Sequence, residues 1–169
     1  MLQALSNIAD IVSGILVGGT LVLLMIELKQ NNRTLRSVAT QGAHDQVLAI
    51  YTPLMSDPSL TELFLRGGAQ PADLTPAETV RLYSWYICMM FQIQNWYFQA
   101  AHGSMSKDLL DRWAQVIANL HNSLPGLRLF WNERRYMFLP DFAAWFEKDV
   151  LVLPVTPGYR PLGLSLEGS

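Results

Sequence analysis

The sequence predicts an all-α protein in which an N-terminal transmembrane helix continues into a cytoplasmic helical bundle. Three observations predict it: a long uncharged apolar run near the N-terminus, apolar residues recurring at helical spacing through most of the rest, and helix-start signatures at several points. Half of the 169 residues are apolar and only 15% are charged, against a usual charged share of about 25%. Such a shortage of charge requires either a segment in lipid or partners that cover much of the surface. Three regions follow: a transmembrane anchor over 1–30, a helical bundle over 31–150 and an extended Pro/Gly-rich tail over 151–169.

The apolar run, IADIVSGILVGGTLVLLMIEL, spans Ile8 to Leu28. At the α-helical rise this is roughly 31 Å, close to the hydrocarbon thickness of a bilayer. Asp10 and Glu27 lie near its ends, and Ile11–Ile26 carries no charge. The polar stripe of an amphipathic helix is missing. A cleaved signal peptide calls for basic residues ahead of the run and a small-residue cleavage site behind it; residues 1–7 contain no basic side chain and Glu-Leu-Lys-Gln follows. A helix buried inside a soluble oligomer is the other competing placement. The span is favoured over both, with the lipid bilayer as its first partner. Lys29, Arg33 and Arg36 follow the run and nothing comparable precedes it. The positive-inside rule then predicts a single-pass inner (cytoplasmic) membrane protein, N-terminus outside and C-terminal domain in the cytoplasm. Gly14 and Gly18 form GxxxG, with Ala9 and Ser13 at a parallel spacing. Small residues four apart let helix backbones approach closely, which points to self-association or to other membrane protein subunits.

Beyond the run, Val38, Val47, Leu48, Ile50, Tyr51, Leu54 and Met55 keep a helical period up to Asp57-Pro58, past Gly42 and Pro53. This predicts one long helix or two nearly collinear ones. Ser59 and Glu62 make a capping pair for a short helix to Arg66, which Gly67-Gly68 is expected to stop. Thr75-Pro76-Ala77-Glu78 is the clearest helix start, with an N-cap, a first-turn proline and an acid at the third position. The helix it opens runs to about Ala101 and carries no charge over residues 82–98. A second membrane segment is the alternative there. Gln92, Gln94 and Asn95 would each need a partner in lipid, so an almost wholly buried bundle helix is favoured, with Cys88, Met89 and Met90 as core filler. Ser106 caps the next helix, with Asp108 and Asp111 in its early turns. Leu109, Leu110, Trp113, Val116, Ile117 and Leu120 form its apolar stripe, and Pro125-Gly126 ends it. Short helices follow over Leu127–Met137 and Pro140–Leu151, their Phe130, Trp131, Phe142, Trp145 and Phe146 facing inward. The tail keeps Leu153, Val155, Tyr159, Leu162, Leu164 and Leu166 among its prolines and glycines, which suits an extended segment lying along another surface.

Chemistry-bearing motifs do not accumulate anywhere. His44, His102 and His121 are isolated, without an HxxxH or HExxH pair to place two metal ligands on one helix face. A lone Cys88 excludes an intramolecular disulfide. There is no P-loop, no GxGxxG and no GxSxG elbow. His44-Asp45, Asp108 with Asp111, and Glu133-Arg134-Arg135 all read as solvated helix faces. A net charge of −2 supplies no basic field for nucleic acid. No catalytic, metal or cofactor residue is assigned, and an enzyme has no positive signal. The first functional expectation is a membrane-anchored interaction module: an accessory or supernumerary subunit of a larger membrane complex, or a homo-oligomer. The second is a small-molecule-binding or sensory domain with a pocket among Trp85, Tyr86, Trp96 and Trp113.

Leu24–Arg36, LMIELKQNNRTLR, resembles the segment that follows the apolar run in a group of uncharacterised bacterial single-span membrane proteins. Asn95-Trp96, Gly103 and Trp113 resemble their middle, and Trp131, Arg135, Phe138, Pro140 and Phe142 resemble their ending in order. Glu27-Leu28-Lys29 departs from that pattern, where a Gln-Ile-Arg-like triplet is expected. The resemblance covers residues 5–150. It implies an anchor followed by a helical cytoplasmic domain, and no activity.

Overall fold

The computed structural model describes the backbone of residues 2–160, together with their side chains except those of 2–12, 15, 36, 39, 40 and 43. Six α-helices follow one another: α1 (Leu2–Ser56), α2 (Pro58–Ala69), α3 (Pro76–Ala101), α4 (Lys107–Ser123), α5 (Pro125–Arg134) and α6 (Pro140–Trp145). Short 3-10 turns occupy Pro71–Asp73 and Arg135–Met137, and a π-helical turn, Phe146–Val150, extends α6. No strand occurs among the described residues, so the all-α expectation holds. The chain forms two compact units, Met1–Ala39 and Thr40–Ser169.

The first unit corrects the expected localisation. Among the described residues no helix is long and apolar enough to cross a membrane. The transmembrane anchor over 1–30, the single-pass inner-membrane placement and the orientation built on it are therefore withdrawn.

In the second unit α1 passes Gly42 and Pro53 unbroken, giving one helix instead of two. It stops at Ser56 because Pro58 forces the residue before it out of helical space: Asp57 has φ −120° and ψ 98°. The Asp57 carboxylate caps α2, accepting hydrogen bonds from the Ser59 and Leu60 amides at 2.9 and 3.3 Å, so Ser59 lies inside the helix it was expected to cap. Arg81 of α3 pairs with Asp57 and ties this junction to the central helix.

Gly67 and Gly68 do not end α2, which continues to Ala69. Their service is to packing. A Cβ built on Gly126, in the first turn of α5, would lie 2.2 Å from the Gly67 carbonyl oxygen and 3.2 Å from the Gly68 Cα. Backbone meets backbone there, and only residues without side chains permit it. Gly126, read as part of a helix end, sits within the helix that follows.

α3 is the hub. Its Thr75 hydroxyl accepts a hydrogen bond from the Glu78 amide at 3.3 Å while the Glu78 carboxylate accepts one from the Thr75 amide at 2.9 Å, the reciprocal cap the sequence announces. Leu82, Tyr86, Met90, Ile93 and Trp96 are fully or almost fully buried, and between residues 82 and 98 only Ser84, Cys88, Phe91 and Asn95 are exposed. Val47, Ile50 and Leu54 of α1 pack on the same core. The amides find partners in protein: Gln92 donates to the Gln46 side-chain oxygen at 2.6 Å, and Gln94 accepts from the Leu139 amide at 2.8 Å. Residues 82–98 thus form a bundle helix.

Gly126→Ala is expected to destabilise the fold by roughly 1–3 kcal/mol, the range for forcing extra atoms into a packed interior; thermal unfolding measures it, and an unchanged midpoint would refute the close crossing. A second expectation concerns acid. The Thr75 amide and hydroxyl, with Arg66 next, hold the Glu78 carboxyl down from 4.5 to about 2. A carboxyl lowered on folding contributes stability that is complete above its unfolded pKa and is lost as pH falls through the folded one. Glu78→Gln should therefore flatten the fall in stability between about pH 4.5 and pH 2, measured by urea unfolding across that range.

Candidate interaction surfaces

From Leu16 to Ile26, α1 exposes apolar side chains on every side. Leu16, Val17, Leu21, Val22, Leu23 and Met25 each keep more than half of their surface open, and Leu24, Ile26 and Leu28 only slightly less or a little more. Consecutive helical residues point about 100° apart, so no polar face separates them. Burying one such side chain is worth about 1.5–3 kcal/mol. Within the same stretch Gly14 and Gly18 are exposed, with nothing within 4 Å of where a Cβ would lie. Ser13 is exposed beside them, and the Ala9 side chain lies outside the described residues. The GxxxG surface therefore has open space around it within this chain.

A second apolar surface lies on the bundle. Val80, Ser84 and Ile87 of α3 face Tyr136 and Met137 across a groove of about 310 Å³. Val80, Tyr136 and the neighbouring Leu139 are more than half exposed. The floor is fixed by Tyr83, whose hydroxyl donates to Glu133 at 3.1 Å and whose ring lies 5.8 Å beneath the Arg134 guanidinium.

The four aromatic residues expected to line a pocket fall in two places. Trp85 and Tyr86 pack around Phe64, with ring centroids at 5.0 and 6.4 Å, and the Trp85 indole donates to the Ile50 carbonyl at 3.0 Å. Trp96 meets Trp113 at 5.1 Å. The space between these two indoles and Tyr51, Val47 and Ile50 is about 20 Å³, room for roughly one water. The Tyr86 hydroxyl and the Trp96 indole N–H are buried and meet no hydrogen-bond partner among the described residues.

The tail is held along α4. Gln115, Asn119 and Asn122 stand at helical spacing on one face. Gln115 donates to the Pro154 carbonyl at 2.9 Å, Asn119 accepts from the Thr156 amide at 3.0 Å and donates to its hydroxyl at 2.9 Å, and Asn122 donates to the Leu153 carbonyl at 3.5 Å. Asn119, 5% exposed, is the one buried polar residue among those described. The expectation that the tail lies along another surface is met through Thr156; Leu162, Leu164 and Leu166 lie outside the described residues.

One concavity was not foreseen. Tyr97, Ala100 and Ala101 at the end of α3, Lys107, Leu110 and Asp111 at the start of α4, and Trp145 and Asp149 around the π turn enclose about 400 Å³. Tyr97 and Trp145 meet in a tilted pair at 4.9 Å with 32° between their planes, backed by the buried Phe142 at 6.0 and 5.7 Å. In sequence these rings read as core, and nothing there marks a π turn. The spacings Lys107–Asp111 and Trp145–Asp149, each i,i+4, were the only legible hint. No group of three His, Cys, Asp or Glu side chains among the described residues is placed to hold a metal ion.

Because the Tyr86 hydroxyl is shut in the core without a partner, Tyr86→Phe should leave stability unchanged or raise it by up to about 1–3 kcal/mol, the cost of an unsatisfied buried polar group. A clear loss on calorimetry would mean that the hydroxyl is satisfied by a bound water. No family model, no curated protein and no solved structure matches the chain.

Proposed function

We propose that the protein is a helical interaction module whose exposed α1 surface is covered by helices of other protein molecules, in a homo-oligomer or as an accessory subunit of a larger assembly. One observation carries this reading: from Leu16 to Ile26 large aliphatic side chains stand open on all sides of the helix. Helices apolar all round are stable only when buried. Several such side chains at about 1.5–3 kcal/mol each supply the driving force for association, and Gly14 and Gly18 offer a low-relief strip for a neighbouring backbone. The groove between Val80 and Tyr136 adds a second apolar contact on the bundle. The space beside Trp96 and Trp113 is about 20 Å³, and Trp85 and Tyr86 lie apart from it around Phe64, so this reading rests on α1 and not on a pocket among the four aromatic residues.

Mass analysis of the purified full-length chain in mild detergent tests the proposal. A mass above that of a 19.0 kDa monomer, after correction for detergent, or co-purifying subunits of fixed stoichiometry, is expected. Leu21→Glu with Leu24→Glu places two charges on adjoining faces of the helix and should shift the species to monomer while leaving the circular dichroism of the bundle intact. A wild-type chain that runs alone at all concentrations would overturn the reading.

A further inference from the structure

The geometry points to the groove between α3, α4 and the π turn as a binding site for a small organic cation, an alkylammonium or quaternary ammonium compound. Its volume of about 400 Å³ falls in the range of ligand pockets, roughly 300–1,000 Å³. Its wall is aromatic: Tyr97 and Trp145 are half-buried, in tilted contact with one another, and backed by Phe142, which is 0% exposed. Aromatic faces attract cations through the ring quadrupole and repel anions, most strongly for Trp.

The charges in the lining have the same preference. Asp111 and Asp149 face one cation, Lys107, which leaves a formal excess of one negative charge. Neither carboxylate makes an ion pair or a side-chain hydrogen bond among the described residues: the three ion pairs found there are Arg66–Glu78, Arg81–Asp57 and Arg135–Glu147. Both aspartates are exposed and free to turn toward a ligand. Ala100 and Ala101 keep the remaining side low, so that a bulky ammonium head can reach the rings.

The π turn is an independent sign. Insertions of this kind into an α-helix are rare and concentrate at functional sites. Here the Leu151 amide donates to the Phe146 carbonyl at 2.9 Å, closing the wider turn. Phe146 and Val150 remain in the core, while Trp145 and Asp149 are left together at the groove.

The test uses the full-length protein and two probes of equal shape: choline, and 3,3-dimethylbutan-1-ol, in which carbon replaces the charged nitrogen. Binding is read from the Trp145 indole N–H in two-dimensional NMR, assigned with Trp145→Phe. Choline should shift that signal saturably with half-saturation at or below about 10 mM, and the neutral probe should need at least about tenfold more. Asp149→Asn, at an exposed position that leaves the fold intact, should weaken choline about tenfold with no change in thermal midpoint. Equal response to both probes, a silent Trp145 signal through that range, or wild-type choline binding by Asp149→Asn would each overturn the assignment. Because the site lies within the bundle and the readout is ligand binding, its failure and that of the α1 association are distinguishable.

Discussion

The bundle depends on keeping water from three sides of α3. Residues 82–98 of that helix hold no charge, and Leu82, Tyr86, Met90, Ile93 and Trp96 are all at most 2% exposed. Each of these side chains is worth about 1.5–3 kcal/mol when buried, so the elements around α3 are placed by what they must cover. α2 supplies Leu60, Leu63 and Phe64, α4 supplies Leu110, Ala114 and Ile117, and α5 supplies Leu127, Phe130 and Trp131. Three of the polar side chains that such a helix carries, Gln92, Gln94 and Trp85, are met by the Gln46 side chain, the Leu139 amide and the Ile50 carbonyl, while the Tyr86 hydroxyl and the Trp96 indole N–H are buried without a partner among the described residues.

That arrangement demands one close approach. With α3 between them on one side, α2 and α5 come together where Gly126 meets Gly67 and Gly68: a Cβ on Gly126 would strike the Gly67 carbonyl oxygen, one on Gly67 would press on the Leu82 and Leu74 side chains, and one on Gly68 would crowd Leu124. Glycine in a helix interior costs about 1 kcal/mol against alanine, and three such residues at one crossing are a local sacrifice for a tertiary contact. The ion pair of Arg66 with Glu78 lies at the same end of α2 and adds little, since both side chains are partly in water.

What the sequence made legible followed from local physics. Thr75-Pro76-Ala77-Glu78 and Ser106 cap their helices as expected, because a cap needs only neighbours a few residues away. The inward Phe130, Trp131, Phe142 and Phe146 are buried as their spacing predicts. The misreadings involve partners remote in sequence. Gly67-Gly68 looks the same whether it stops a helix or admits another backbone, and its partner Gly126 is far along the chain. Ser59 gave way to Asp57 as cap, since a carboxylate before a proline-initiated helix reaches two amides. The membrane span rested on the length and apolar character of Ile8–Leu28 and on the basic residues after it. Tyr97 and Trp145 looked like core, and the turn that brings Asp149 beside them has no composition of its own.

The shortage of charge remains to be placed. A chain with 15% charged residues has apolar surface to spare, and two causes were open, lipid or protein cover. Most of the bundle's apolar residues are accounted for by its own core. The surplus is concentrated in Leu16–Leu28 and, on the bundle, around Val80, Tyr136 and Leu139. Scattered exposed apolar residues require no explanation, but contiguous ones mark places where another molecule belongs. The protein cover proposed for α1 would draw on the same small residues, Gly14 and Gly18, that first suggested helix association. The anionic, aromatic groove at the π turn answers to a different need: it is small, charged at its rim and built on three rigid elements, which suits recognition of a compact ligand better than the broad burial that α1 requires.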